Sequence, residues 1–262
     1  MFDAFILPGT PPLLFWILVA VAIVIQGISK SGFAGGAGIL SLPLMMLVMP
    51  VDKVAATLLP LLILCDLNAI YHHRNHKAWT QIRRVYFPAC VGILLGAAVW
   101  WQIGQEGIAF YGPLIKRMVG VIAILFGLYI IAKDRSMAWV EHHRAGRRTA
   151  LVAGVLAGFT STIAHAAGPI VSLYIYSQGF GKTLFVGTVA WTFTLINMTK
   201  LPFYAATGLI KTDVLLFDAC LVALIPIGSW LGHWMHHRVS EWWFSRIIMV
   251  FTLVAGVQLL LK

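Results

Sequence analysis

The stretch "ISKSGFAGGAGIL" (residues 28–40) decides how this chain is read. It sets Lys30 and four glycines between two strongly apolar runs. In a lipid surrounding, a lysine at that place costs a few kcal/mol on insertion scales, and intramembrane cations of this kind usually serve function. Composition says that the surrounding is lipid. Of 262 residues, 60% are hydrophobic and only 11% charged, and mean hydropathy is +0.88. Soluble domains carry about 25% charged residues, and a core of this size could not absorb so much apolar surface. The chain is read as an integral membrane protein.

A spanning helix needs about 20 apolar residues. Ten apolar segments can be drawn: 13–28, 37–49, 54–73, 86–102, 113–132, 149–163, 168–179, 184–206, 212–232 and 243–261. The first two are short and flank the glycine stretch. The sixth and seventh are also short and flank "STIAHAAGP" (residues 161–169). A shift of 131 residues aligns Gly27 with Gly158, Ser41 with Ser172, Thr57 with Thr188 and Asp66 with Asn197. The identities are few. The stronger signal is order: five segments, then five of similar length, with the polar break in the same place. The expected fold is all-α: a polytopic membrane protein of two inverted repeats of about five helical segments, whose broken or re-entrant helices meet near the midplane. Residues 1–133 form the first repeat, 134–148 a cytoplasmic linker and 149–262 the second repeat.

Orientation follows the basic residues. Arg74, Lys77, Arg83 and Arg84 cluster in one loop, and Lys133, Arg135, Arg144, Arg147 and Arg148 in another. Both loops are expected in the cytoplasm. Inversion depends on the first two segments forming a hairpin. A single helix over 13–49 would be about 55 Å long, against about 30 Å of hydrocarbon, so the hairpin is easier. Charge counting alone barely separates inverted from parallel repeats. The net charge of +10 is therefore assigned to membrane orientation and not to nucleic acid. Asp3, with no basic residue near it, does not suit a cleaved signal peptide. Trp16, Trp79, Trp100, Trp101, Trp139, Trp234, Trp242 and Trp243 fall near segment ends, as an interfacial belt would. Cys65, Cys90 and Cys220 lie inside apolar runs and read as packing residues.

Non-helical backbone survives at membrane depth only inside protein or beside a watery cavity. The two breaks are thus expected to line a cavity, with helix N-termini converging on an anion. Gly35, Gly36 and Gly38 permit close backbone approach, and Gly168-Pro169 suits a first helical turn. Ser29, Ser31, Thr160, Ser161 and Thr162 add hydroxyls; Lys30 and His165 add positive or proton-carrying groups. Lys200, near Asn197 and Pro202, is a second embedded cation. Asp66, the most embedded acid, serves either an ion pair with a lysine or a coupling proton. The substrate-binding set expected is Lys30, Ser31, Gly35, Gly36, Gly38, Ser161, Thr162, His165, Gly168, Asn197 and Lys200. The histidines of "YHHRNH", "EHHR" and "HWMHH" read as loop residues, so neither a metal nor a cofactor is expected. An intramembrane enzyme using Ser29 or Ser31 with His165, or an anion channel, is the alternative.

"GISKSGFAGGAGILSLPL" and "GFTSTIAHAAGPIVSLYI" resemble the first- and second-repeat signatures of the TauE/SafE family of sulfite exporter-like membrane proteins. "NMTK" (residues 197–200), followed by Thr207-Gly208, is similar to a recurrent stretch downstream. The resemblance spans nearly the whole chain. It departs in "STIAHAAGP", where His165 and alanines replace a more glycine-rich version. It implies a secondary transporter of small anions, such as sulfite or sulfoacetate-like organosulfonates, in a bacterial cytoplasmic membrane. By this carry-over both breaks and the Asn197/Lys200 region line the substrate path. The expected partners are the small anion and the lipid bilayer. Direction of transport, coupling ion and oligomeric state, a homodimer among the options, stay open.

Overall fold

The computed structural model describes residues 2–32, 36–141 and 144–261. All regular structure among the described residues is helical. The helices are α1 (Pro12–Gly32), α2 (Ser41–Met46), α3 (Val51–His73), α4 (Trp79–Glu106), α5 (Ile108–Glu141), α6 (Arg147–Ala164), α7 (Gly168–Tyr176), α8 (Lys182–Ala206), α9 (Thr212–Leu221), α10 (Leu224–Arg238) and α11 (Glu241–Leu261). A 3-10 turn at Gly36–Leu40 leads into α2. Five described helices (α1, α3, α4, α5 and α8) are long and apolar enough to cross a membrane, and the bent pair α9–α10 makes six. Large apolar side chains such as Phe87, Phe110, Leu125 and Trp230 are exposed, as lipid-facing residues are.

The ten segments are recovered with three differences. The ninth is two helices, bent by 44° at Val222–Ala223. Pro226 explains the break: it has no N–H to return to the Val222 carbonyl, which accepts from Ile225 instead. Second, α5 runs on to Glu141, so the helix continues into the stretch read as linker. Third, Trp100 is buried, with Nε1–H donating to the Thr162 carbonyl at 2.9 Å. A donor inside the protein draws that indole inward and away from the interfacial belt. The cysteines are all free; Cys65 is buried, while Cys220 faces outward.

Each short pair is a hairpin that returns to the level where it began. After α2 the Val48 carbonyl accepts from the Leu7 N–H, just ahead of α1. After α7 the Ser177 hydroxyl accepts from Ala145 N–H, and Gln178 donates to the Ala145 carbonyl, just ahead of α6. Both hairpins pack on the centre of the molecule, where α3 meets α8.

The helix pairs that join the two halves come in matching sets. α1 packs along α10 and α4 along α6. Both seams run parallel and are built on glycine. Gly27 and Gly228 meet backbone to backbone, with Gly232 against Ile28. Gly154 lies on Val85 and Pro88, and Gly158 on Ala89. A side chain at any of these positions would collide with main chain. Where small residues let backbones approach, van der Waals contact replaces the hydrophobic drive that lipid cannot supply. The remaining two pairs run antiparallel. On α5 and α11, Gly120 touches Gly256 and Leu260, while Gly127 touches Leu253. On α3 and α8, Asp66 meets Asn197, and beyond the end of α3 Ala78 N–H donates to Thr188.

Candidate functional site

α1 ends in the first break because four glycines within seven residues remove both side-chain packing and helix propensity. From Gly36 the chain is a 3-10 turn, and α1 itself holds it. Ser29 Oγ accepts the Gly38 N–H at 2.8 Å, and Gln26 Nε2 donates to the Gly38 carbonyl at 2.8 Å. A Cβ on residue 38 would collide with Gln26 Oε1. This one residue is clamped from both sides, and a side chain here would push Gln26 out of the clamp.

The second break is built differently. α6 ends at Ala164, and His165 takes the left-handed conformation at φ 49°, the one non-glycine residue with positive φ among the described residues. Its N–H and that of Ala166 return to the carbonyls of Ser161 and Thr160. That closes the helix as glycine usually would, at a backbone cost of about 1 kcal/mol. α7 then starts at Gly168-Pro169 with no side-chain cap on its first turn.

These breaks and α8 enclose one cavity of about 20 Å³, lined by Gln26, Lys30, Gly38, Ile39, Leu62, Ser161, His165, Ala167, Gly168, Phe193 and Asn197. Six residues of the expected set therefore share one wall system: Lys30, Gly38, Ser161, His165, Gly168 and Asn197. Lys30 Nζ lies 2.5 Å from Asp66 Oδ1 and 4.1 Å from the centre of the Phe193 ring. Asp66, fully buried, takes Asn197 Nδ2 on its other oxygen at 2.6 Å. The carboxylate is thus behind the wall, and its two partners are in the wall.

Lys200 is not in the lining. It is fully buried on α8, with Nζ 3.1 Å from the Ser161 carbonyl, 2.9 Å from Ser161 Oγ and 3.2 Å from His165 Nδ1. His165 Nε2 reaches the Ala55 carbonyl of α3 at 3.1 Å. A carbonyl demands a donor and an amine's N–H an acceptor, so the ring is the neutral tautomer with its proton on Nε2. Both ring nitrogens are used, and His165 offers the cavity only the ring. Thr162 is also behind the wall: its hydroxyl donates to the Gly158 carbonyl, and its carbonyl accepts from Trp100 and Tyr204. Ser31 is half-buried and outside the lining. Gly36 begins the 3-10 turn, and Gly35 lies outside the described residues.

The cavity is rich in donors. Ser161 Oγ accepts from Lys200, which leaves its own hydroxyl proton for the cavity. Asn197 Nδ2 spends one N–H on Asp66 and keeps one. The Gly168 N–H and the start of α7 add backbone donors and the positive end of a helix dipole. With Lys30 they form a lining suited to negative charge. Sequence reasoning missed Gln26 and Phe193. Neither has a local signal, since a glutamine in an apolar helix and a phenylalanine in an apolar run look like packing. The serine–histidine alternative finds no geometry here: Ser29 is spent on Gly38, and His165 on Ala55 and Lys200. Among the described residues no group of three or more metal-ligating side chains converges.

No curated protein and no solved structure matches the chain. A family model does: "Sulfite exporter TauE/SafE" matches residues 18–259, which takes in both breaks, α8 and every lining residue of the cavity. The chain belongs to the sulfite exporter TauE/SafE family, a family of membrane transporters and not of enzymes.

Proposed function

We propose that the protein carries a small divalent or monovalent sulfur oxyanion, sulfite or an organosulfonate such as sulfoacetate, across a bacterial inner membrane. The observation that carries this reading is the convergence of both helix breaks on one donor-lined cavity with Lys30 in its wall. Lys30 supplies the charge, the Ser161 hydroxyl, the Asn197 amide and the start of α7 supply hydrogen bonds, and Gly38 lets backbone come close. Lys200 positions Ser161 and His165 from behind.

The cavity holds about one water, so this is a closed conformation, and an anion of four heavy atoms enters only when the breaks part. Asp66 keeps Lys30 at the wall in the meantime. An arriving anion competes with Asp66 for the same ammonium, which ties substrate binding to the α1–α3 contact. An inside-negative potential favours export.

The repeats are proposed to be inverted, residues 1–133 against 149–262, joined through 134–148 on the cytoplasmic side. Support comes from the equivalent helices α3 and α8, and α5 and α11, which run antiparallel, and from hairpins that each return to their starting level. The two breaks then approach one depth from opposite sides. Purified protein in liposomes decides the substrate: uptake of labelled sulfite or sulfoacetate, outcompeting taurine and sulfate, is the expected result. Failure to move any of the four would overturn the reading.

A further inference from the structure

α9 carries an acid that the anion site does not use. Asp218 is 4% exposed, and neither carboxyl oxygen has a hydrogen-bond partner. It sits four residues before the break at Val222–Ala223, on the inner face with Val214, Phe217 and Leu221. A second oxygen at the same level is also without a partner: the hydroxyl of Thr57 on α3. The other buried threonines, Thr162, Thr188, Thr192, Thr194 and Thr252, all return their hydroxyls to the carbonyl four residues back. Thr57 does not. The ion pair Lys53–Asp213 and the hydrogen bond Asn68–Ser229 fix α3 and α9–α10 as parallel neighbours in register. Thr57 is one turn beyond Lys53, and Asp218 five residues beyond Asp213, so the two fall at one depth.

A carboxylate out of reach of every donor and shielded from water carries the largest solvation penalty a side chain can carry, and the neutral acid a far smaller one. The charged groups on the elements packed against α9 do not relieve it. On α3, Lys53 holds Asp213, Asp66 holds Lys30 and Asn197, and Asp52 sits in the first turn. Asp3, in the N-terminal turn, is exposed. None of them is hydrogen-bonded to Asp218. A sodium ion would want several oxygens around it, and no polar side chain is hydrogen-bonded to the Asp218 carboxyl to gather them; a proton wants one oxygen.

We propose that Asp218 is a proton-carrying site of the transport cycle, a neutral acid in this closed conformation that ionises when the joint between α9 and α10 admits water. In that step the O–H bond of the carboxyl breaks, the electron pair stays on the oxygen, and the proton passes to water; reclosure requires a proton to be taken up again. The bend is the natural place for such opening, since the helix ladder is already interrupted there. The proposal rests on the transporter reading and adds to it the ion that is exchanged.

Two measurements test it. Infrared difference spectra of the purified protein across a pH titration should show the carbonyl band of a protonated carboxyl, lost in Asp218→Asn and kept in Asp66→Asn. In vesicles, Asp218→Asn should exchange labelled sulfite for sulfite within about twofold of wild type yet lose about tenfold or more of the accumulation driven by an imposed pH gradient, with partial recovery in Asp218→Glu. A band that survives in Asp218→Asn, or a variant that still accumulates sulfite under the pH gradient, overturns the proposal. Absence of sulfite exchange in wild type would sink the substrate assignment instead, and the infrared band would still decide Asp218.

Discussion

The two breaks carry one positive side chain each within reach, and they hold it by opposite means. In the first, side chains hold backbone: Ser29 and Gln26 clamp the two peptide groups that flank Gly38, and Lys30 is left in the cavity wall. In the second, backbone holds itself through the left-handed His165, and the amine comes from another helix. Lys200 points at the back of the break and not into the cavity. The site is therefore asymmetric although its scaffold repeats. One half presents charge, and the other presents a hydroxyl, an amide and a helix start. A pair of identical breaks would have placed two ammonium groups against each other, with their mutual repulsion to offset.

The sharpest way to break this comparison is topological. In a version lacking Cys65, Cys90 and Cys220, single cysteines in the 206–212 loop should react with an impermeant thiol reagent in intact cells, and those in 233–242 should not. The outcome is all or none, and the reverse pattern would remove the facing breaks. Next in size is Lys30→Met, expected to lower transport about 100-fold, the scale of a lost charged ligand. It also leaves Asp66 buried beside Asn197 alone, a loss of about 3–5 kcal/mol in stability. The double variant Lys30→Met/Asp66→Asn should recover thermal stability without transport; recovery of both would take Lys30 out of the anion site. Lys200→Met should do the opposite of Lys30→Met in its emphasis. Loss of donors to Ser161 and His165 should cost about 1–3 kcal/mol in unfolding, with sulfite affinity down about tenfold, measured on one detergent-purified sample. Equal loss of affinity in the two lysine variants would mean that Lys200 reaches the anion.

A smaller effect separates the two caps. His165→Gly should be about 1 kcal/mol more stable than His165→Ala, because only glycine is free of strain at φ 49°. Thermal unfolding of the two variants with equal stabilities would show that the cap is not strained. The smallest effect expected is that of Lys53→Met. Its partner Asp213 is 43% exposed, and such pairs contribute less than about 1 kcal/mol; transport should stay near wild type.

How far the sequence speaks depends on whether a residue is odd for its surroundings. Lys30, Asp66, Lys200 and the glycine stretch are conspicuous in apolar context, and all four fall at or behind the cavity. Direction is not legible in that way. Nothing in "NMTK" says that Lys200 turns toward Ser161 and away from the cavity, because a cation at a given depth has two faces of a helix to choose from. The bend at Val222–Ala223 was hidden for another reason: Pro226 lies in an uninterrupted apolar run, and membrane helices tolerate proline when neighbours satisfy the freed carbonyls. Asp218 hides in the same run, since the acid in the first turn of α9 is Asp213 and nothing local marks a second acid five residues on as left without a partner.

The glycine seams also set an order of events during synthesis. Gly27 of α1 finds Gly228 of α10 about 200 residues later, whereas Gly154 of α6 reaches Val85 of α4 after about 70. At about 5–20 residues per second, α1 waits some 10–40 seconds in the bilayer without its partner. Through that interval Lys30 depends on Asp66, which arrives with α3 only 36 residues behind it. The buried ion pair is thus available to Lys30 long before α10 is made. It lets the first helix stay in the membrane until the last third of the protein arrives to hold it.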